Sequence, residues 1–392
     1  MTLPRAAIIG AGFMGGAHTE ALRRSGIEIN GILGLDLAES RSSQQRLGLP
    51  RAYASFEEVC QDPGVDIVHL CTPNYLHYEQ ARAAILAGKH VLCEKPLGMS
   101  SAEGVELVAL AGERRRVGAV NHNLRYYPLC QEARARVQSG EIGEARILQG
   151  AYCQDWLFLP SDWNWRLQPE LGGALRVVAD IGTHWVDMIT WISGLKITAV
   201  MADFATFIPV RQRPLQEVET FASKLSQGAA SKLSQGAASE SVEINTEDYA
   251  AILFRFENGG RGSVVLSQVS AGRKNHFWWE INGSKGSLKW EQERPNEMWL
   301  GFRERENGLL LKDPSLMQPA TRRYAGYPGG HAEGYPDTHT QLFRELYAYI
   351  AAGDLDAPPT FPTFEDGWHE LVLCDAVQRS ATERRWVDVK FE

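Results

Sequence analysis

Lys95 in Glu94-Lys95-Pro96, and Asp180 with His184 in Asp180-Ile181-Gly182-Thr183-His184, are residues whose types and spacing could move a proton. Oxidising an alcohol needs a base to take the hydroxyl proton as hydride leaves the carbon. An ammonium beside the oxygen stabilises the negative charge that develops there. Lys95 supplies the ammonium, and His184 supplies an imidazole that titrates near neutrality. Asp180 stands four residues before His184, on the same face of a helix, where it can orient the imidazole or bind a hydroxyl. Each has a plainer reading. A lysine after a strand is usually solvated, an aspartate at a helix start is a cap, and a histidine inside a helix is a packed polar group.

Gly10-Ala11-Gly12-Phe13-Met14-Gly15 follows an apolar run and opens an amphipathic one. In that context Gly10 makes the tight turn, Gly12 lets the backbone approach a pyrophosphate, and Gly15 lets the helix pack on the strand. The phosphates then meet the unpaired N–H groups of the helix start, beside Phe13 and Met14. Asp36 closes the second strand and is placed to accept hydrogen bonds from the adenosine ribose, where its charge would repel a 2′-phosphate. NAD is therefore favoured over NADP, with Arg41 nearby as the contrary signal. Thr72-Pro73-Asn74 and Glu94-Lys95 each follow a strand at the edge where open parallel sheets bind ligands. His77 either starts the next helix beside the cofactor or is a capping group.

The elements that must position these residues alternate in the first third. Strands are expected at 6–9, 29–35, 67–71, 90–93 and 117–120, and helices at 14–24, 39–47, 79–87 and 102–114. Ser100 and Glu103 begin the last helix as a capping box, and Gly88 stops the one before it. Continuously apolar strands between helices predict a parallel Rossmann sheet covered on both faces. After a helix at 129–138 the pattern changes. Ala250, Ile252, Phe254 and Phe256 put apolar side chains on one face with Arg255 opposite, and Asn258-Gly259 turns the chain back. A second hairpin spans 277–290. The expected organisation is a Rossmann domain over 1–125 and an α+β domain over 126–392 with a mostly antiparallel open sheet, for substrate binding and oligomerisation.

A net charge of −8 argues against broad nucleic-acid binding. No stretch approaches the ~20 apolar residues of a membrane helix, and the opening residues lack a secretion-signal pattern. The six cysteines form no Cys-x-x-Cys pair and are read as reduced, in keeping with the cytoplasm. No histidine, cysteine or carboxylate cluster has metal-ligand spacing. The segment SKLSQGAA at 223–230 repeats unchanged at 231–238, and its small polar composition reads as a solvated loop insertion.

GAGFMGGAH, CTPNYLH, AGKHVLCEKPL and DIGTHWVD, in this order and spacing, resemble the glucose–fructose oxidoreductase/inositol dehydrogenase family (Gfo/Idh/MocA) over nearly the whole chain. The resemblance implies that Lys95, Asp180 and His184 are catalytic, with His184 the proton acceptor. Gln154-Asp155-Trp156, Trp165-Arg166 and Trp386-Val387-Asp388-Val389 look most like the levoglucosan and glycoside 3-dehydrogenase branch. The resemblance further implies that Asn123 approaches nicotinamide and substrate together with Arg125, and that Gln154, Trp163, Trp165, Arg166 and Arg176 line the pocket. Rings stacking on sugar C–H faces and amides binding hydroxyls suit a polyol. His331, in a glycine-rich stretch, is a candidate for a closing loop. A homodimer or homotetramer is implied as well. The expected activity is NAD-dependent oxidation of a secondary hydroxyl of a sugar, anhydrosugar, glycoside or cyclitol. The alternatives are a glycosidase working by transient ring oxidation and a non-catalytic NAD-linked binding protein.

Overall fold

The structure is a computed structural model describing residues 3–215 and 239–391; the SKLSQGAA repeat lies outside them. The first third forms β1 (Ala6–Ile9), α1 (Phe13–Arg24), β2 (Ile29–Leu33), α2 (Leu37–Leu47), α3 (Phe56–Gln61), β3 (Ile67–Leu70), α4 (His77–Leu86), β4 (His90–Cys93), α5 (Ser101–Glu113) and β5 (Gly118–Val120). The strands pair in the order β2-β1-β3-β4-β5, parallel throughout, so all five end at one edge. Every residue of β1, β3 and β4 is buried, as their largely apolar runs predict, the histidines His69 and His90 included. Ser100 caps α5 by accepting from Glu103 N, while the Glu103 carboxylate turns to Met99 N instead of Ser100 N. The capping box is therefore half formed. The short helix α3, held by Ser55 accepting from Glu58 N, is too brief for its periodicity to be read.

The chain continues with α6 (Pro128–Gln138), β6 (Ala145–Cys153), α7 (Pro169–Gly172), α8 (Thr183–Ser193), β7 (Ile197–Ala205), β8 (Val210–Pro214), β9 (Ser239–Glu243), β10 (Tyr249–Phe256), β11 (Arg261–Ser267), β12 (His276–Gly283), β13 (Ser287–Glu291), β14 (Glu297–Gly301) and β15 (Gly308–Leu311). It ends with α9 (Tyr335–Ala352), α10 (Phe364–Glu383) and β16 (Val387–Asp388). The larger sheet has nine strands in the order β15-β14-β13-β12-β6-β11-β10-β7-β16 and is antiparallel except between β11 and β6. Both expected hairpins are present, β10–β11 and β12–β13. Ala250, Ile252, Phe254 and Phe256 face inward, against α6, α8 and α10.

One contact sets the height of α8 on this sheet. Trp185 stacks on Phe254, its ring centroid 5.6 Å away, and lies over Gly150, where a Cβ would stand 2.2 Å from its indole nitrogen. The preceding residue, His184, is fixed by that seating.

The first layer is not complete at residue 125. Leu342, Phe343, Leu346 and Tyr347 of α9 join the core of β1 and α1, and Phe364 and Leu371 of α10 pack with β4, β5 and α5. The two last helices are apolar on faces that fit the Rossmann sheet, so they return to cover it. Sequence order alone places them with the second domain.

Candidate active site

A cavity of about 810 Å³ runs along the edge where the parallel strands end and beneath the second domain. Gly10, Gly12, Phe13 and Met14 line one part of it. Gly10 has φ +103°, and a Cβ there would lie 2.5 Å from Cys71 O. A Cβ on Gly15 would stand 2.1 Å from Gly10 O, so Gly15 serves the close approach of helix and turn. At Gly12 a Cβ would meet nothing within 4 Å. Protein packing does not require a glycine there, whereas a pyrophosphate lying on the start of α1 does. These residues fit a bound dinucleotide.

Asp36 is not at the position its motif spacing assigns. β2 ends three residues earlier, and Asp36 is exposed as the cap of α2, its Oδ1 accepting from Glu39 N at 2.8 Å. The carboxylate that lines the cavity beside Leu33, Gly34 and Leu35 is Glu39, held by Leu35 N. Thr72, Pro73 and Asn74 line the cavity too. Asn74 donates to Gly172 O at 2.9 Å, joining the first layer to α7. His77 starts α4 but is fully buried outside the lining, its ring nitrogens 2.7 Å from Pro96 O and 2.8 Å from Thr72 O. It ties the Thr72 turn to the Lys95-Pro96 segment and does not face the cofactor space.

Lys95 lies at the cavity floor, its Nζ donating to Asp180 O at 2.6 Å and Asp180 Oδ1 at 3.0 Å. Arg166 Nε donates to the same oxygen at 3.0 Å, and Gln268 Nε2 to the other at 2.7 Å. Burial alone would raise the Asp180 pKa, but the charges of Lys95 and Arg166 hold it well below the usual carboxylate range. Asp180 sits in a π-helical turn (Val178–Gly182) that leads into α8, a distortion common at functional sites. His184, in the first turn of α8, shares the cavity, and its Nδ1 is buried with no hydrogen-bond partner among the described residues. Burial, then the charges of Lys95 and His122, push its pKa well below 6.5. Asp180 is thus engaged by a lysine, an arginine and an amide, and among the described residues it makes no hydrogen bond to His184.

Glu94 also borders the cavity. Burial would raise its pKa, but a 2.9 Å contact with His18 Nε2 and a hydrogen bond from Asn121 bring it down to about 2. Asn123 lines the cavity and donates to Thr338 Oγ1 at 2.7 Å. Gln154, Trp165 and Arg166 are on the wall as expected, with the Arg166 guanidinium 4.3 Å from the Trp165 ring centre. Gln154 donates to Asn275 Oδ1 at 2.8 Å and accepts from Trp156 Nε1 at 2.8 Å.

Besides Asp36 and His77, four expected residues are elsewhere. Arg125 is buried and clamps Asp187 of α8 and Asp366 of α10, with Nε 2.9 Å from Asp187 Oδ2 and Nη2 2.8 Å from Asp366 Oδ1. Arg176 is buried against Asp248, which also takes Arg211. Glu247 Oε1 accepts from Arg176 N and Val178 N and so steadies the turn that presents Asp180. Asp248→Ala is expected to leave two buried guanidiniums unpaired and to lower stability by about 3–5 kcal/mol, measured by urea unfolding. Trp163 packs beside Leu157, Leu167 and Ile244 instead of facing the cavity. His331 is exposed and outside the lining, while Tyr335 from the same stretch reaches the cavity.

Tyr152, Lys274, Asn275 and Tyr335 line the wall as well, as does Trp156, which the sequence marks only through its branch motif; Gln268, outside the lining, reaches the site through its hydrogen bond to Asp180. Tyr152 donates to Asn275 Oδ1 at 2.6 Å. Tyr152, Gln268, Lys274 and Asn275 sit at strand ends brought together by sheet pairing, and Tyr335 opens α9; no local motif marks them.

Comparison with known proteins agrees with this geometry. Residues 4–122 match the model of an oxidoreductase family with an NAD-binding Rossmann fold, and residues 130–289 match the GFO/IDH/MocA C-terminal domain. The chain is 30% identical to levoglucosan dehydrogenase of Pseudarthrobacter phenanthrenivorans over 97% of both proteins. It is 36% identical to 1,5-anhydro-D-fructose reductase of Ensifer adhaerens over 44% of this chain and 51% of that one. A solved levoglucosan dehydrogenase in complex with NADH and levoglucosan superposes with a TM-score of 0.86 at 28% identity, over 99% of this chain and 100% of that one. An inositol dehydrogenase homologue from Azotobacter vinelandii, complexed with NAD+, gives 0.85 at 25%, over 99% and 97%. With the nucleotide cradle, the nine-stranded second sheet and both family matches in one chain, the protein belongs to the GFO/IDH/MocA oxidoreductases and is NAD-binding.

Proposed function

We propose that the protein oxidises a secondary hydroxyl of a sugar, anhydrosugar, glycoside or cyclitol, with His184 as proton acceptor, Lys95 at the reacting oxygen and Asp180 holding Lys95. The observation that carries this reading is the pairing of two states in one cavity: an imidazole kept neutral and a lysine fixed beside it. Bound NAD supplies the hydride acceptor. Gly10, Gly12, Phe13 and Met14 hold its phosphates, and Thr72, Pro73, Glu94 and Asn123 border the rest of its space. Lys95 binds and polarises the substrate oxygen, and His184 removes its proton. Trp165 and Trp156 offer faces to a sugar ring, while Gln154, Arg166 and Asn275 offer hydrogen bonds to its hydroxyls. The similarity to levoglucosan dehydrogenase over nearly its full length supports an anhydrosugar or pyranose.

The division of labour follows the two layers: residues 1–125 with the returning α9 and α10 for the cofactor, and the rest for substrate. Leu253, Val265 and Met201 are exposed on the outer face of the large sheet, which supports a homodimer or homotetramer paired through that face. No described helix is long and apolar enough to cross a membrane, in keeping with a cytoplasmic enzyme.

The test is NADH formation by the purified protein across anhydrosugars, pyranoses, glycosides and inositols. NADH with one polyol class supports the reading. Cleavage of a nitrophenyl glycoside without net NADH favours a redox glycosidase, and NAD binding with neither reaction favours a binding protein. Glu39 gives a second expectation. Its carboxylate at the adenosine end disfavours a 2′-phosphate, so Glu39→Arg should shift the NADP/NAD ratio of kcat/KM upward by roughly 100-fold. Asp36→Asn should leave that ratio nearly unchanged.

A further inference from the structure

A second cavity of about 580 Å³ lies on the other side of α8, bordered by Asp187, Asp366, His369 and Glu370. His122 is in neither cavity lining, yet it contacts residues of both. It is fully buried, with its ring edge-to-face against His184 at a centroid distance of 6.1 Å. Its Nε2 is 2.9 Å from Glu370 Oε2, and its Nδ1 is 3.8 Å from Asp187 Oδ2. His184 Nδ1, both ring nitrogens of His122 and both Glu370 oxygens are buried with no hydrogen-bond partner among the described residues, so the His122–Glu370 contact is close but not aligned as a hydrogen bond. Imidazole can accept a proton at one nitrogen and release it from the other.

We propose that His122 and Glu370 form an exit path, carrying the proton that His184 takes from the substrate into the second cavity instead of past the bound cofactor. This rests on the dehydrogenase reading above. The balance is simple. Oxidation of the carbinol by NAD breaks its C–H and O–H bonds and forms the carbonyl and NADH. The hydroxyl proton goes to His184, then to the His122–Glu370 pair, and leaves from Glu370 to solvent.

The surroundings suit transfer. Burial raises the Glu370 pKa and His122 opposes it, leaving it at about 7. Burial lowers that of His122, but Asp187 and Glu370 outweigh it and the net shift is upward. Facing Glu370 are His122, Asp187 and Arg125, with Asp366, His369 and Arg134 on the cavity wall. Facing His184 are Lys95, His122, Asp180 and Glu94. The downward shift of His184 and the upward shifts of His122 and Glu370 favour transfer in this direction. His122, Asp187 and Glu370 are also placed as metal ligands would be. Arg125 occupies both Asp187 oxygens, and a guanidinium there opposes a cation.

His122 and Glu370 act through His184 and are positioning residues. The test is a single turnover with enzyme in excess over the polyol that turns over fastest, following NADH by absorbance and proton release by an indicator dye. In the wild type the proton appears together with NADH. In Glu370→Gln, NADH should form at close to the wild-type rate and proton release should lag about tenfold. Glu370→Asp should restore part of the coincidence, and His122→Gln should give the same lag by an independent route. Release that stays coincident with NADH in both Gln variants, whether or not both are slowed together, overturns the path and reduces the pair to a structural contact. If the wild type forms no NADH from any polyol, it is the dehydrogenase reading that fails.

Discussion

Replacing His184 with asparagine is expected to lower kcat about a thousandfold, near the middle of the range for a general base, with NAD binding unchanged. Asparagine keeps a polar side chain of similar reach but has no basic nitrogen. The pH profile separates this from structural damage. Because the His184 pKa is pushed below 6.5, the imidazole is neutral at pH 7 and able to accept. The wild-type kcat/KM should be flat through neutrality and fall only on the acid side of 6.5, where the ring gains a proton. In His184→Asn the residual rate should lose that limb. An acid limb retained in the variant would assign it to another group and remove His184 from the role.

Lys95→Met should cost about a thousandfold in kcat/KM, since a fixed charge aimed at a developing oxyanion acts strongly in a buried site. Two further effects follow from the contacts. Lys95 and Arg166 together hold Asp180 ionised, so removing Lys95 should raise the pKa of Asp180. Lys95 also depresses the pKa of His184, second only to burial. Its loss should move the acid limb of kcat/KM toward neutrality. Lys95→Arg should not restore activity, because a guanidinium has a different reach and donor geometry. A Lys95→Met enzyme with a near-normal rate, or a slowed one with an unmoved pH profile, would contradict the assigned role.

The sequence was most informative where chemistry is local in the chain. The glycine turn, the strand ends carrying Thr72 and Lys95, and the four-residue spacing of Asp180 and His184 all lie within single supersecondary units. The structure brings these groups to one cavity. Two kinds of residue lie away from where their place in the chain suggests. Asp36 sits at the motif's usual spacing, but β2 stops at Leu33 and the aspartate is taken up in capping α2, which leaves Glu39 facing the cavity. Arg125 and Arg176 are polar residues close to the site in sequence, yet each finds a buried carboxylate elsewhere, Asp187 with Asp366 and Asp248. An unpaired guanidinium in the interior is too costly to leave, and those partners lie 62 to 241 positions away. The returning helices α9 and α10 were illegible for the same reason. Their amphipathic faces specify that they cover a sheet, but not which sheet.

Deuterium transfer tests the central claim most directly: that a carbinol hydrogen leaves a polyol bound beside Lys95 and His184. The protein is incubated with NAD and a sugar deuterated at every ring carbon, chosen from those that yield NADH, and the product nucleotide is weighed by mass spectrometry. The account predicts NADH heavier by one deuterium, formed with a primary isotope effect, and no labelled NADH from His184→Asn on the same timescale. Unlabelled NADH, or labelled NADH formed equally well by the variant, would contradict it.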